Sequence, residues 1–183
     1  QDRSINDDLK FVCFNAIKRV GNGLLIPAGP LREKIESVSK YDAVFINGNE
    51  VDCTNLRKNI SKYNKNITIF ESHYFPTNLS QLDTTKKYII FSGIGNPETF
   101  KETLLKNKFN IIKEIIFPDH HNYTQTDVDN IRLQAKNLNT EIITTEKDYM
   151  KLNFYKNNDI KFLKIELKIK NEKEFINYLK LHL

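Results

Sequence analysis

The sequence has 183 residues, 39% of them apolar and 28% charged, the balance of an ordinary globular chain with room for one sizeable core or two small ones. No apolar run approaches the roughly 20 residues a bilayer-spanning helix needs, the opening QDRSINDDLK has neither a basic nor an apolar signal region, and the two cysteines, Cys13 and Cys53, lack metal-ligand or disulfide spacing, which fits a reducing cytosolic setting. A net charge of +5 suits phosphates, nucleic acid or an anionic membrane surface alike, but no zinc-finger spacing or RNP-like sequence is present, so nucleic acid is not the expected partner.

Residues 1–8 are polar and lead at once into a strand at 10–15 (KFVCFN), with no apolar element before it to pair with. A central strand so placed predicts that part of the fold lies upstream. Residues 19–33 (RVGNGLLIPAGPLRE) hold three glycines and two prolines, a loop whose backbone entropy cost implies a task. Gly21-Asn22-Gly23 permits positive φ, and Pro30 suits the first turn of a short helix running through Ile35. Arg32 and Glu33 would project from that turn, as working groups or as a plain helix start in which Glu33 complements the dipole.

Residues 41–47 (YDAVFIN) read as a buried strand, 55–63 as a helix and 67–72 as a strand, with His73 a half-buried packing residue just after it. A further strand at 86–92 (KKYIIFS) runs into GIGNPETF at 93–100. There the glycines let backbone N–H groups approach a ligand, and the start of a helix over 97–107 favours an anion. Capping explains the same residues: Asn96 as N-cap, Pro97 at the first helical position and Glu98 beside the dipole. Neither the GK[ST] of a P-loop nor a full GxGxxG is present.

The strand at 111–116 ends in FPDHHNY at 117–123. A carboxylate and two imidazoles, Asp119, His120 and His121, at the C-terminal end of a strand form a candidate for proton transfer or metal binding, the plainer alternative being a structured turn. Thr124 opens a helix over 126–138, a strand follows at 140–144, and Glu146-Lys147-Asp148 stands at its end, before a short helix begun by Met150 and Leu152. A strand at 160–169 and a helix at 172–182 close the chain. This alternation predicts an α/β, three-layer fold with a mainly parallel sheet. The turns after three strands then share one edge, so Gly95, His120 and Lys147 are expected around one cleft.

Taken together, and in this order and spacing, GNGxLxPAGPLRE at 21–33, YDAVFING at 41–48, GIGNPETF, FPDHHNY and TTEKDYMKL at 144–152 resemble the C-terminal half of the tetraacyldisaccharide 4'-kinases, the lipid A 4'-kinases. The resemblance implies the C-terminal part of a P-loop kinase-like fold, with residues 1–40 the remainder of an N-terminal P-loop domain and a nucleotide-proximal loop, and 41–183 a C-terminal α/β domain. It implies transfer of the γ-phosphate of ATP, with Mg²⁺, to the 4'-hydroxyl of a tetraacyldisaccharide 1-phosphate in lipid A biosynthesis. The setting it implies is peripheral contact with the cytoplasmic face of a bacterial inner membrane, made through the full-length protein. Gln1 resembles the glutamine ending the family's Asp-Asp-Gly-x-Gln segment, and Asp7-Asp8 lies past it and is no substitute. The phosphate-binding loop is therefore expected in an N-terminal half that this chain needs as its partner, and the fragment alone is expected to be inactive.

Residue by residue, the resemblance puts Glu33 near the Mg²⁺-nucleotide as the metal-organising carboxylate and Arg32 against phosphate, while Gly93, Gly95 and Asn96 are expected at the nucleotide from the Gly-rich turn itself. One of His120 and His121, beside Asp119, would support an aspartate base from the N-terminal half. Lys147 would meet a phosphate, or else pair with Glu146 or Asp148. Two other readings stand beside the kinase: a non-catalytic remnant or partner domain, and a manganese phosphoesterase of the DHH type, whose signature Asp119-His120-His121 also spells.

Overall fold

The computed structural model describes residues 8–48, 52–152 and 158–183; Gln1 and Asp7 lie outside the described residues. The chain packs into two compact units, Gln1–Phe75 with Leu167–Leu183, and Pro76–Glu166. Among the described residues run the strands β1 (Phe11–Asn15), β2 (Ala43–Asn47), β3 (Thr68–Pro76), β4 (Lys87–Ser92), β5 (Asn110–Ile116), β6 (Glu141–Thr145), β7 (Ile160–Leu163) and β8 (Ile165–Ile169). The helices are α1 (Thr54–Tyr63), α2 (Pro97–Lys106), α3 (Gln125–Leu138), α4 (Glu146–Lys151) and α5 (Glu172–His182). The fold is α/β and mainly parallel, as expected, but it holds two four-stranded sheets, β1-β2-β3-β8 and β5-β4-β6-β7, instead of one.

In the first unit β1, β2 and β3 run parallel. Alternation along β2 sends Val44 and Ile46 to one face, where they pack with Leu56 and Ile60 of α1. Phe45 lies on the other face, in an aromatic cluster with Phe11, Phe70 and, from α5, Phe175. His73 is half-buried, as read, but it lies inside β3, which extends beyond the expected end. The 19–33 loop folds on itself: the Asn22 amide donates to the Ala28 carbonyl at 2.9 Å, and Leu25 and Leu31 form an isolated bridge. Gly21 and Gly23 do take positive φ, +58° and +77°. The short helix expected from Pro30 begins only at Ile35, as a 3-10 turn over Ile35–Lys40, because Leu31 is held extended by donating to the Leu24 carbonyl at 3.2 Å.

In the second unit all three pairings, β4 with β5, β4 with β6 and β6 with β7, are parallel. Strand β4 is central and buried on both faces. Ile89 and Phe91 pack with Val128, Ile131 and Ala135 of α3, whereas Tyr88 and Ile90 pack with Phe100 and Leu104 of α2. This is why KYIIFS reads as a continuous apolar run. The strand expected over 160–169 is two strands belonging to different sheets. The break falls at Lys164, where Asn78 replaces the ladder: its amide donates to the Phe162 carbonyl at 2.8 Å, and its carbonyl accepts from the Lys164 N–H at 2.9 Å.

Candidate active site

Because β4, β5 and β6 are parallel neighbours, the turns after them meet at one edge of the second unit's sheet. The Gly93 N–H, just past β4, donates to Asp148 Oδ2 at 2.9 Å, and the Gly93 carbonyl accepts from the His120 N–H at 3.2 Å. A Cβ on Gly93 would stand 3.1 to 3.2 Å from the Tyr123 hydroxyl, His121 Cβ and the Pro118 carbonyl, so any side chain there would push these turns apart by a few tenths of an ångström. Gly95, His120 and Lys147 thus share one rim.

Asp119 is the centre of that rim. Its Oδ1 accepts from the His120 N–H at 3.0 Å and lies 3.7 Å from Lys147 Nζ, and its Oδ2 lies 3.8 Å from His120 Nε2. A Cβ on Gly95 would meet the same Oδ2 at 3.1 Å. Lys147 therefore faces Asp119, not the Glu146 or Asp148 weighed from the sequence. Both side chains of that pair are half exposed, so the interaction itself contributes little to stability.

The two histidines differ. His121 is partly buried, with its ring stacked on Phe117 at 4.7 Å, against the edge of Tyr123 at 5.0 Å, and with Nε2 3.1 Å from Asp127 Oδ2. His120 has a 76% exposed side chain on a left-handed backbone, φ +61°, an uncommon conformation for a residue with a Cβ. Its N–H, shared between Gly93 and Asp119, holds it there.

Asp148 is the residue that sequence reasoning missed. It is fully buried, yet it accepts from the Gly93 N–H and from the Thr145 hydroxyl at 2.8 Å and pairs with Lys151 Nζ at 3.1 Å. Lys151 also donates to the His121 carbonyl at 3.3 Å. Burial pushes the nearby Tyr123 hydroxyl far up, with the Asp148 charge adding to the effect, so that phenol stays neutral. A signal for the carboxylate was legible: Thr145-x-x-Asp148 and Thr124-x-x-Asp127 are both capping patterns. In each the threonine accepts from the aspartate N–H at 3.1 Å, and α4 consequently starts at Glu146, not near Met150.

Asn96 holds the N-cap position of α2 as expected, ahead of Pro97 and Glu98, but its side chain makes no capping hydrogen bond to the backbone; its amide donates instead to Thr99 Oγ1 at 2.7 Å. Arg32 and Glu33 belong to the first unit, exposed on a bend just before the 3-10 turn, and Glu33 accepts from the Tyr41 hydroxyl at 3.5 Å. Among the described residues no three His, Cys, Asp or Glu side chains converge as a metal cluster, so Glu33 offers one carboxylate. A single carboxylate is compatible with Mg²⁺, which keeps several waters and takes its other ligands from phosphates.

The Thr124 N–H chiefly, with the Thr124 hydroxyl and His121, holds the Asp127 carboxyl below its ordinary range; Arg57 does the same for Glu71, and Arg132 for Asp159. Groups with depressed folded values stabilise fully above their unfolded pKa of about 4, and that stability is lost as pH falls through the folded values. Melting temperatures of the chain across a pH series should therefore drop below about pH 4. Asp127→Asn should shallow that drop; an unchanged profile would show that the carboxylate is not linked to folding.

A family model described as LpxK, Tetraacyldisaccharide-1-P 4'-kinase, matches residues 1–183. The tetraacyldisaccharide 4'-kinase of Pelagibacter ubique (strain HTCC1062) is 44% identical over 179 residues, which cover 98% of this chain and 57% of that protein. The one of Rickettsia akari (strain Hartford) is 41% identical over 168 residues, 90% of this chain and 49% of the relative. The chain thus spans about half the length of the curated relatives it matches. Among solved structures, the "apo" form of LpxK from Aquifex aeolicus in complex with ATP superposes with a TM-score of 0.62 over 98% of this chain and 54% of that one; at 19% identity this likeness shows the fold.

Proposed function

The chain belongs to the tetraacyldisaccharide-1-P 4'-kinase family, and from that premise we propose that it is the C-terminal part of an enzyme moving the γ-phosphate of ATP to the 4'-hydroxyl of a tetraacyldisaccharide 1-phosphate. The observation that carries this reading is the rim on which β4, β5 and β6 end, where an exposed imidazole is presented beside a carboxylate and a lysine. In the reaction the sugar oxygen bonds to the γ-phosphorus, the bond to the bridging oxygen breaks, ADP leaves, and the hydroxyl proton passes to a base.

His120 is the histidine suited to that base: its ring is largely exposed beside Asp119, open to an aspartate from an N-terminal half. His121, engaged by Asp127 and Phe117, is a positioning residue instead. Asp119 orients His120, Lys147 turns from Asp119 to a phosphate, and Gly93, Gly95 and Asn96 line the nucleotide side. Arg32 neutralises phosphate charge, and Glu33 holds Mg²⁺. That ion, when bound, neutralises the β- and γ-phosphates. In this reading residues 1–40 complete the N-terminal P-loop domain and 41–183 form the C-terminal one. The longer protein works at the cytoplasmic face of an inner membrane, since a four-chain lipid stays in its bilayer. Among the described residues no helix is long and apolar enough to cross a membrane.

The test is a chimera in which residues 1–183 replace the matching segment of the Pelagibacter relative. Phosphorylation of the lipid disaccharide within about tenfold of the parent is expected, against none from the 183-residue chain alone, which has no phosphate-binding loop. A folded but inactive chimera would favour the non-catalytic partner domain. Within an active chimera, Glu33→Ala should raise the Mg²⁺ or ATP requirement and leave saturated kcat nearly unchanged, and a pure kcat loss would contradict its role.

A further inference from the structure

We infer that the solvent face of α1 is an electrostatic docking surface for an anionic phospholipid bilayer. From residue 53 to residue 70 the chain has four cations, Arg57, Lys58, Lys62 and Lys65, and no Asp or Glu. Helical spacing gathers them on one side: Thr54, Arg57, Lys58, Ser61 and Lys62, with Lys65 just past the helix end, line one open depression, while Leu56 and Ile60 fill the opposite, buried face. Arg57 is paired with Glu71, which is shared with Lys170, and Asp52 just before the helix faces Arg19 as well as Lys58, so with two carboxylates among these cations the neighbourhood keeps a positive excess. Among the described residues no carboxylate lies within ion-pair distance of Lys58, Lys62 or Lys65. Complementing the helix dipole would explain Lys62 in the last turn, but not Arg57 and Lys58 in the first half.

Short hydroxyls between long cations leave a surface that lysine ammonium groups can reach across and lipid phosphates can enter. Nucleic acid would share the charge complementarity, but no aromatic lines the depression, the exposed Tyr63 standing at the end of α1 outside it, whereas a nucleic-acid platform interleaves aromatics among its cations. The inference rests on the proposed substrate only in this sense: an enzyme acting on a four-chain lipid must meet a bilayer surface.

The experiment is sedimentation of the 183-residue chain with vesicles of equal parts phosphatidylglycerol and phosphatidylcholine, or of phosphatidylcholine alone, without nucleotide or disaccharide lipid. Binding to the anionic vesicles only is expected, released as salt rises from about 0.1 M to about 1 M and the screening length shrinks from about 10 Å to about 3 Å. At about fivefold per surface lysine, K58Q/K62Q/K65Q should weaken partitioning roughly 100-fold, with an unchanged melting temperature. A control variant, K136Q/K173Q/K180Q, removes the same charge elsewhere and should bind nearly as the parent does. Equal loss in both variants, undiminished binding of the α1 variant, or preference of the α1 face for a single-stranded oligonucleotide over the anionic vesicles would each overturn the inference. A chimera that phosphorylates lipid in detergent while the chain ignores vesicles sinks this inference and spares the kinase reading. Vesicle binding through α1 with an inactive chimera does the reverse.

Discussion

Asp148→Ala is expected to destabilise the second unit by about 3–5 kcal/mol, the usual cost of removing one partner from a buried charged pair. The reason is what stays behind. With the carboxylate gone, the Gly93 N–H and the Thr145 hydroxyl lose their acceptor and Lys151 loses its counter-charge, all close to a fully buried position. In thermal melts of the 183-residue chain this should lower Tm by about 10 °C, at roughly 2–4 °C per kcal/mol for a chain of this size. Asp148→Asn keeps one acceptor of the same shape and should fall between the parent and Ala. A loss below about 1 kcal/mol for Ala would show that water replaces the carboxylate and that the three turns hold without it.

His120→Ala in the chimera should lower kcat by roughly 10² to 10⁴-fold with Tm nearly unchanged, because most of its ring lies in solvent. His121→Ala should behave oppositely: it removes the stack on Phe117 and the contact to Asp127, costing about 1–3 kcal/mol of stability, with a smaller and indirect effect on kcat. Phosphotransfer rates and melting curves of the two variants measured together decide the assignment. If His121→Ala loses kcat at full stability while His120→Ala keeps it, the roles are exchanged. If both keep kcat, FPDHHNY is a structured turn and the proton moves elsewhere.

Much of this protein was legible in one dimension. Apolar runs such as KYIIFS and the punctuation of Gly, Pro and Asn place strands and helices by local rules, and five spaced motifs pointed to the family that the whole-chain match then showed. Parallel strands have their C-terminal ends on one side, so the meeting of GIGNP, FPDHH and TTEKD followed from topology alone. What the sequence could not separate were cases in which chemically equal residues differ only in surroundings. His120 and His121 are adjacent and identical, yet one is stacked and hydrogen-bonded and the other is held out on a left-handed turn. Lys147 and Lys151 both flank Asp148, but on α4 only the i+3 position reaches back to it, and Lys147 faces Asp119. The run IKFLKIELKI divides between two sheets because Asn78, some 84 residues earlier, takes the hydrogen bonds at the break. Local propensity sets an element's type, whereas burial, ion-pair partners and sheet membership depend on residues far apart in sequence, and those only the packed fold decided.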